Sequence, residues 1–299
     1  MALAIATNNA ALSAAASASS VNRDLETSMA RLSTGKRINS ASDDAAGVSI
    51  ASRLTAQIKG TDQAIRNALE GQALIDTAEA SHKEVETMMQ RMREIAIQAA
   101  NDTYTTSDRS NLGSEMKAIY SEIDRVAKAT SWAGQSLFSG GTGPAYPVGA
   151  RGNSKEFTFQ VGSATSLSDR ITVNIGEIHA SALNLDDGAD PPTAYIYEIL
   201  DVVYPDAVPP TLAGSAMFAV GVIDEGLEWL NTKRSSLGAV SNRLNHTVNN
   251  LTNISTNLSA AKGGIEDADF ALETTNLAKN QILQQASTAM LAQANSSKQ

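Results

Sequence analysis

Residues 54–99 carry the longest regular pattern in the chain. Positions suited to packing follow one another at spacings of four and three, with one slip after Ile75. A mean period of about 3.5 keeps one stripe of a helix toward a partner helix, whereas a strand repeats every two residues. The stripe consists of Leu54, Ile58, Thr61, Ile65, Ala68, Gln72, Ile75, Ala78, His82, Val85, Met89, Met92, Ala96 and Ala99.

This pattern predicts one helix from about Asp43 to Ala100, roughly 85 Å long at about 1.5 Å per residue. No proline interrupts it, and Gly60 and Gly71 each cost a helix only about 1 kcal/mol relative to alanine. A helix of that length does not fit inside a compact domain of ordinary shape. We therefore predict a chain built around a long helical rod.

Composition narrows the classes of function. Aromatic residues make up only 4%, and the hydrophobic fraction of 42% is rich in alanine, which suits thin contacts between helices better than a thick core. The net charge is −9 without a basic cluster, so we expect no nucleic-acid partner. There is no cysteine, which excludes disulfides and Cys-based metal sites.

The N-terminal residues do not resemble a Sec signal peptide, since they lack a basic region followed by an unbroken apolar stretch. No run of eighteen apolar residues is present, so we expect no membrane span. A cytosolic protein and a protein exported by a Sec-independent route are both compatible with these features.

Both ends of the chain are uncharged and helix-prone. Residues 1–22 and 280–297 contain no charged side chain, yet residues 4–32 repeat the four-three spacing. Alone in water, such a helix buries too little apolar area to offset its ordering entropy. One terminal helix of this kind would usually be read as frayed. Two of them favour the hypothesis that the ends are disordered in the free monomer and fold together when subunits associate.

The stretch between the first helix and the rod contains a helix break at Gly35. We predict Ser42 as the N-cap of the rod, with Asp43 and Asp44 in its first turn, where carboxylates favour the positive end of the helix dipole. A metal or catalytic pair is the alternative. No histidine or further carboxylate lies at a supporting spacing, so capping is favoured.

The predicted fold class is mainly α. A long coiled-coil-like helical bundle is formed by the N- and C-terminal segments, with a small β-hairpin and loop-rich central region. The hairpin strands are residues 157–161 and 171–175, which alternate strictly. Gly263–Gly264 is expected to break the C-terminal helix. The predicted parts are the inner helix 1–42, the rod, return helix and hairpin 43–175, the exposed loop-rich region 176–214, the C-terminal rod helix 215–264, and the inner helix 265–299.

We predict no catalytic, cofactor-binding or metal-binding residue and no enzyme activity. The three histidines lie in separate segments, and His82 is expected to be a hydrogen-bonded core residue. The run Asp186–Asp190 faintly resembles a calcium loop but lacks the D-x-D-x-D-G order and the closing glutamate. No nucleotide-binding or hydrolase motif is present.

Long motifs at both ends resemble bacterial flagellin. The resemblance covers roughly residues 1–140 and 215–299, and the motifs are highly specific. They are RLSTGKRINSASDDAAGVSIASRLTAQIKG (31–60), QRMREIAIQAAN (90–101), EIDRVAKAT (122–130), LGAVSNRLNH (237–246) and IEDADFALETTNLAKNQILQQASTAMLAQAN (265–295).

The resemblance implies a structural subunit that self-assembles into the flagellar filament for motility. It implies unfolded export through the flagellar type III route, terminal helices that fold on assembly, and an extracellular location. The implied partners are further copies of the chain, an export chaperone, and cap and hook-junction proteins, with no nucleic acid and no membrane. The predicted assembly seam consists of Ala4, Ala11, Ala15, Ala18, Leu25, Met29, Leu32, Leu272, Ile282, Leu283, Ala286 and Met290.

Residues 90–98 also resemble the segment that the vertebrate Toll-like receptor for flagellin grips. Arg91, Ile95 and Gln98 match positions of that contact, and Glu115 aligns with another, although isoleucine stands where leucine is commoner. The alternative is that these residues mediate packing between subunits. For the whole chain, the alternatives are a hook–filament junction protein and a secreted coiled-coil adhesin that binds through residues 176–214.

Overall fold

The computed structural model describes residues 8–138, 154–164, 166–180, 182–183, 185, 196 and 212–296. Within these residues the fold is mainly α, which confirms the predicted class. The helices are α1 (Asn9–Thr34), α2 (Ala45–Ala99), α3 (Thr106–Ala129), α4 (Leu212–Glu266) and α5 (Phe270–Ser296). The strands are β1 (Ser131–Trp132), β2 (Gln135–Ser136), β3 (Ser154–Gln160) and β4 (Arg170–Gly176), with a short 3₁₀ helix at Leu167–Asp169.

The chain divides into two compact units. One comprises Met1–Gly60 and Asn253–Gln299, and the other comprises Thr61–Thr252. Helices α2 and α4 each contribute residues to both units. Every position of the stripe predicted along α2 is buried or half-buried, so the phase of its pattern was predicted correctly.

In the second unit, α2 runs antiparallel to both α3 and α4. Arg91 on α2 pairs with Glu115 on α3, while Ser81, ten residues earlier, contacts Thr130 at the end of α3. Toward α4, Arg93 pairs with Asp224, and Glu86, seven residues earlier on α2, pairs with Arg234, ten residues later on α4. Large apolar side chains fill the core between these helices, among them Met89, Met92, Ile95, Met116, Ile123, Ile223 and Leu230.

The hairpin predicted at residues 157–161 and 171–175 is present as the antiparallel pair β3–β4, in which Phe157 lies opposite Val173. Its apolar face packs on α2, as expected for a two-stranded hairpin that cannot be stable alone. A Cβ atom added at Gly71 of α2 would lie only 3.2 Å from the Phe159 ring. The glycine in the middle of the helix therefore allows close approach of the strand.

The described part of region 176–214 is buried rather than exposed, so that prediction was wrong for these residues. Ile178, Leu183, Leu185 and Ile196 have no exposed surface, and the amide of Ala180 donates to Asp124 Oδ1 at 2.9 Å. The prolines and aspartates farther along suggested a loop, but this segment carries enough apolar side chains to join the core. The remainder of the region, including the Asp186–Asp190 run, lies outside the described residues.

The start of α2 is capped by Asp44, not by Ser42. Asp44 Oδ1 accepts a hydrogen bond from the amide of Gly47 at 2.8 Å. Asp43 accepts from the amides of Ser40 and Asn39, and these bonds hold the pKa of Asp43 below its usual value. Both carboxylates thus stabilise backbone structure, in line with the capping interpretation.

The predicted break at Gly263–Gly264 was also wrong, because α4 continues to Glu266. The helix break lies at Asp267–Asp269, where Asp269 Oδ1 accepts from the amides of Ala271 and Leu272 and so caps α5. Two glycines cost a helix about 2 kcal/mol, which neighbouring packing can offset. A strong cap placed a few residues later decides where the next helix starts.

His82 is buried as predicted, but it makes no hydrogen bond with the described residues. Its ring instead packs against Phe138, with the ring centroids 5.3 Å apart. Burial, together with the positive charge of Arg234, lowers the pKa of His82 to about 4. The side chain therefore behaves as a neutral aromatic core residue.

Candidate assembly surface

Helices α1 and α5 form an antiparallel pair in the first unit. At one end the Asn8 side-chain amide donates to the Ala294 carbonyl at 3.1 Å. Near the middle the Gln284 amide donates to Asn22 Oδ1 at 2.7 Å. At the other end the Arg31 guanidinium lies 3.9 Å from the Glu273 carboxylate. The sequence prediction that the uncharged ends pack together agrees with this arrangement.

The faces that the two helices turn inward consist mostly of small or polar side chains. On α1 the buried or half-buried positions recur at spacings of three and four, as the helical repeat requires. These positions are Ala11, Ala14, Ala18, Val21, Leu25, Ser28 and Leu32. On α5 the corresponding positions are Glu273, Leu277, Asn280, Gln284, Ser287, Leu291 and Ala294.

Several large apolar side chains of this pair remain exposed. Ile282 and Met290 on α5 each leave 67% of their surface exposed, and Met29 on α1 leaves 54% exposed. Isolated exposed apolar residues are ordinary, but several of them on two adjacent helices indicate an interaction surface. We call these exposed apolar residues of α1 and α5 the outward face; they are Leu12, Met29, Phe270, Leu272, Ile282, Leu283 and Met290.

The predicted assembly seam divides between the two faces. Ala11, Ala18, Leu25 and Leu32 lie inward, and Ala4 lies outside the described residues. The remaining members are exposed: Ala15, Met29, Leu272, Ile282, Leu283, Ala286 and Met290. Leu12 and Phe270 were missed, although their size and their position in uncharged or capped helical segments were available from the sequence.

A shallow groove runs between the two helices. On α1 its lining consists of the small residues Ser13, Ala14 and Ser17. On α5 it consists of Ala286 and Ser287, which are also small, and of the larger Leu283 and Met290. Most of these side chains are apolar or carry only a hydroxyl group. The groove therefore offers no cluster of charged groups for catalysis or for binding an ion.

The predicted receptor segment lies on α2 and α3 in the second unit. Arg91 Nη2 lies 2.7 Å from Glu115 Oε1 and its Nη1 lies 2.9 Å from Glu94 Oε2. These bonds, that to Glu115 first, raise the pKa of Arg91. Gln98 is exposed and donates to the Tyr104 hydroxyl at 3.0 Å.

Ile95 differs from the other three residues, because it has no exposed surface. The structure thus brings Arg91 and Glu115 together on the surface, places Gln98 nearby on the same helix, and puts Ile95 in the core. Glu94 was not among the predicted residues, although its position three residues after Arg91 is a spacing at which helical charges pair.

Within the described helices, no segment is long and apolar enough to cross a membrane. Among the same residues, no group of three or more His, Cys, Asp or Glu side chains is arranged to hold a metal ion.

Comparison with known proteins gives a consistent result. The profile of the bacterial flagellin N-terminal helical region matches residues 5–142, and that of the C-terminal helical region matches residues 220–299. The chain belongs to the bacterial flagellin family. It is 38% identical to flagellin of Bacillus subtilis (strain 168), over 96% of this chain and 95% of the relative. It is 33% identical to flagellin A of Vibrio anguillarum, over 98% and 97%.

A solved structure described as a putative flagellar hook-associated protein from Vibrio parahaemolyticus has a similar fold. It superposes with a TM-score of 0.60 at 18% identity, covering 75% of this flagellin and all of that chain. At this identity the likeness concerns the fold alone.

Proposed function

We propose that this flagellin is the structural subunit of a flagellar filament and that α1 and α5 form the contacts between its copies. The observation that carries the proposal is the outward face, which keeps Leu272, Ile282 and Met290 largely exposed on a helix pair whose outer stretches, up to residue 22 and from residue 280 to residue 297, carry no charge. Burying such a face against a second copy removes apolar area from water, at about 25 cal/mol per Å². A contact that does not close on itself generates an open helical polymer.

Coupled folding of the termini follows from the same surfaces. The side chains on the inward faces of α1 and α5 are mostly small or polar, so the isolated pair gains little from burial relative to its ordering entropy. Contacts with neighbouring copies supply the missing apolar burial. We therefore propose that both helices are disordered in the free subunit and become ordered in the filament.

The finer parts of this proposal concern export and partners. A cysteine-free chain whose uncharged termini do not fold alone suits export as an unfolded polypeptide through the flagellar type III channel, with an extracellular filament as its destination. An export chaperone would protect the apolar side chains of α5 before assembly. Cap and hook-junction proteins would contact the same helices at the two ends of the filament.

A host Toll-like receptor is proposed as a further partner through Arg91, Gln98 and Glu115. These three side chains are exposed and polar, as a contact surface requires. The buried Ile95 would act only by holding α2 in place. The competing interpretation is that the segment serves packing between subunits.

Seeded assembly of the purified chain tests the proposed contact surface. The variant I282S/M290S removes two outward side chains and should raise the protein concentration needed for elongation at least about tenfold, equivalent to 1.4 kcal/mol. The control is L167S, which removes a leucine that is 82% exposed in the other unit. Equal assembly of I282S/M290S and the unmodified chain would contradict the proposal. A chain that only terminates existing filaments would indicate the junction-protein alternative instead.

A further inference from the structure

The connection between α1 and α2 is hydrogen-bonded to the connection between α4 and α5. The amide of Arg37 donates to the carbonyl of Glu266 at 2.6 Å, and the amide of Ala268 donates to the carbonyl of Gly35 at 3.0 Å. These bonds make Lys36 and Asp267 an antiparallel bridge. Because the bonds flank the bridge, its two residues form the closer, non-hydrogen-bonded type of pair.

Side chains reinforce this bridge. Lys36 Nζ lies 3.1 Å from Glu266 Oε2, and the Arg37 guanidinium donates to the carbonyl of Ile265 at 2.7 Å. Gly35 adopts a left-handed conformation with φ of 70°, which ends α1 and turns the chain toward its partner. We call residues 35–37 and 265–268 the clasp.

The clasp continues the pairing of α1 with α5. Moving outward from Lys36 and Asp267, later partners on α5 oppose earlier residues on α1, with steps along the two helices that differ by at most four residues, about one helical turn. The successive opposing pairs are Arg31 with Glu273, Asn22 with Gln284, and Asn8 with Ala294. The bridge therefore stands at the base of one continuous antiparallel register.

The side chains that α1 and α5 place against each other do little to favour one alignment of the two helices over another. A slip of α1 by one heptad would put Ala18 where Ala11 was, Leu25 where Ala18 was and Leu32 where Leu25 was, so these inward positions would still hold uncharged apolar residues. The outer halves have no charges to oppose such a slip, whereas polar or charged residues at defined positions normally specify the register of paired helices. The register must therefore be fixed at the end of the pair next to the clasp, where the ion pairs and the bridge lie.

We propose that the clasp sets the register of α1 against α5, so that every copy presents the same outward face. This inference rests on the proposed filament function. The clasp joins two chain segments that are more than two hundred residues apart, and both terminal helices leave it directly. A register fixed there is carried outward by the regular rise of each helix.

Pairs of engineered cysteines can report the register of α1 against α5, because the unmodified chain contains no cysteine that would compete for disulfide formation. N22C/Q284C reports the register seen here. N22C/L277C and N22C/L291C report slips of one heptad in either direction. In pelleted filaments the first pair should form its intramolecular disulfide about tenfold more than either slipped pair, as a preference of 1.4 kcal/mol would give.

Breaking the clasp should abolish this preference. R37P removes the amide donor to Glu266 and the guanidinium donor to Ile265, whereas R37A removes only the latter. In the R37P background the preference for N22C/Q284C should fall to about twofold or less, with a smaller fall for R37A. An undiminished preference in R37P would overturn the proposal, since the helix pair would then set its own register.

A locked clasp keeps the proposal testable if R37P fails to fold. Non-hydrogen-bonded pairs place Cα atoms about 4.5 Å apart, within the range for a disulfide. Oxidised K36C/D267C should therefore assemble after a shorter lag than its own reduced form, because the cross-link removes loop entropy in advance. An equal or longer lag would contradict the clasp.

Failure of filament formation and failure of the clasp give different results. If the unmodified chain forms no filaments, the proposed function is wrong. The disulfide yield of K36C/D267C in the free chain then tests the clasp separately, because these residues lie in the clasp and not on the terminal helices. A yield no higher than that of the slipped pair N22C/L277C would overturn it.

Discussion

The imidazole of His82 on α2 packs against the Phe138 ring with 5.3 Å between the ring centroids and makes no hydrogen bond within the described residues. Arg234 supplies positive charge nearby and is itself paired with Glu86 and Glu79. The site therefore accommodates a neutral ring and disfavours a charged one.

This arrangement predicts acid sensitivity of the fold. The pKa of His82 is about 4 in the folded chain, against the ordinary histidine value of 6.5, so the unfolded chain binds the proton more readily. The contribution of His82 is fully present above pH 6.5 and is lost as the pH falls toward 4. From pH 7 to pH 5 the free energy of unfolding should fall by about 2 kcal/mol on this account. Urea titrations at the two pH values measure the difference.

The variants H82L and H246Q separate the two histidines in that experiment. H82L should lose most of this pH dependence, whereas H246Q, which changes an exposed residue, should retain it. The same pH dependence in H82L as in the unmodified chain would place the acid sensitivity elsewhere.

The turn between β1 and β2 predicts a stabilising substitution. Ala133 has φ of 48° and Gly134 has φ of 81°, so both central residues occupy the left-handed region, as in a type I′ turn. Asparagine tolerates this conformation better than alanine does. A133N should raise the free energy of unfolding by about 0.5–1 kcal/mol, whereas G134A should lower it by about 1 kcal/mol. A lower stability of A133N in urea would refute this.

Two helical glycines should respond oppositely to alanine. A Cβ at Gly221 on α4 meets nothing within 4 Å, whereas one at Gly71 meets the Phe159 ring at 3.2 Å. G221A should stabilise the fold by about 1 kcal/mol through helix propensity. G71A should destabilise it by about 1 kcal/mol because the ring must move. Thermal unfolding of both variants provides the comparison, and a stabilising G71A would show that the hairpin does not pack closely there.

Within the predicted receptor segment, we expect the buried Ile95 to matter for stability and the exposed Arg91 to matter little for stability. I95A removes a side chain without exposed surface and should cost 2–5 kcal/mol of stability. R91A breaks exposed ion pairs and should cost about 1 kcal/mol or less. Urea unfolding of both variants, beside binding of each to immobilised receptor, checks this. Weaker binding of R91A at nearly unchanged stability would favour the receptor role, and unchanged binding would favour the packing role.

The sequence predicted the features that depend on strong periodicity. The stripe of α2 was correct because large apolar residues such as Met89 and Met92 recur among charged neighbours. The β3–β4 hairpin was correct because Phe157 and Phe159 alternate with polar residues. In both cases only one face of the element is suitable for burial.

Other features could not be predicted because the sequence allows two neighbouring positions to play the same role. The sequence offers Ala14 and Ala15 equally to the α1–α5 contact, and three-dimensional packing selects Ala14. Gly263 and Gly264 suggested a break, but the cap supplied by Asp269 decides where α5 begins. The clasp joins distant segments through backbone hydrogen bonds, and no pattern of side chains in the sequence predicts such a bridge.

The measurement that tests the central claim most directly is assembly of the full chain with filament seeds, read by electron microscopy. A version lacking residues 1–42 and 265–299 would be studied beside it. Long tubes of uniform width from the full chain, and none from the shortened one, are the predicted result. A full chain that stays monomeric while both of its ends resist proteolysis would contradict the account and favour the adhesin alternative.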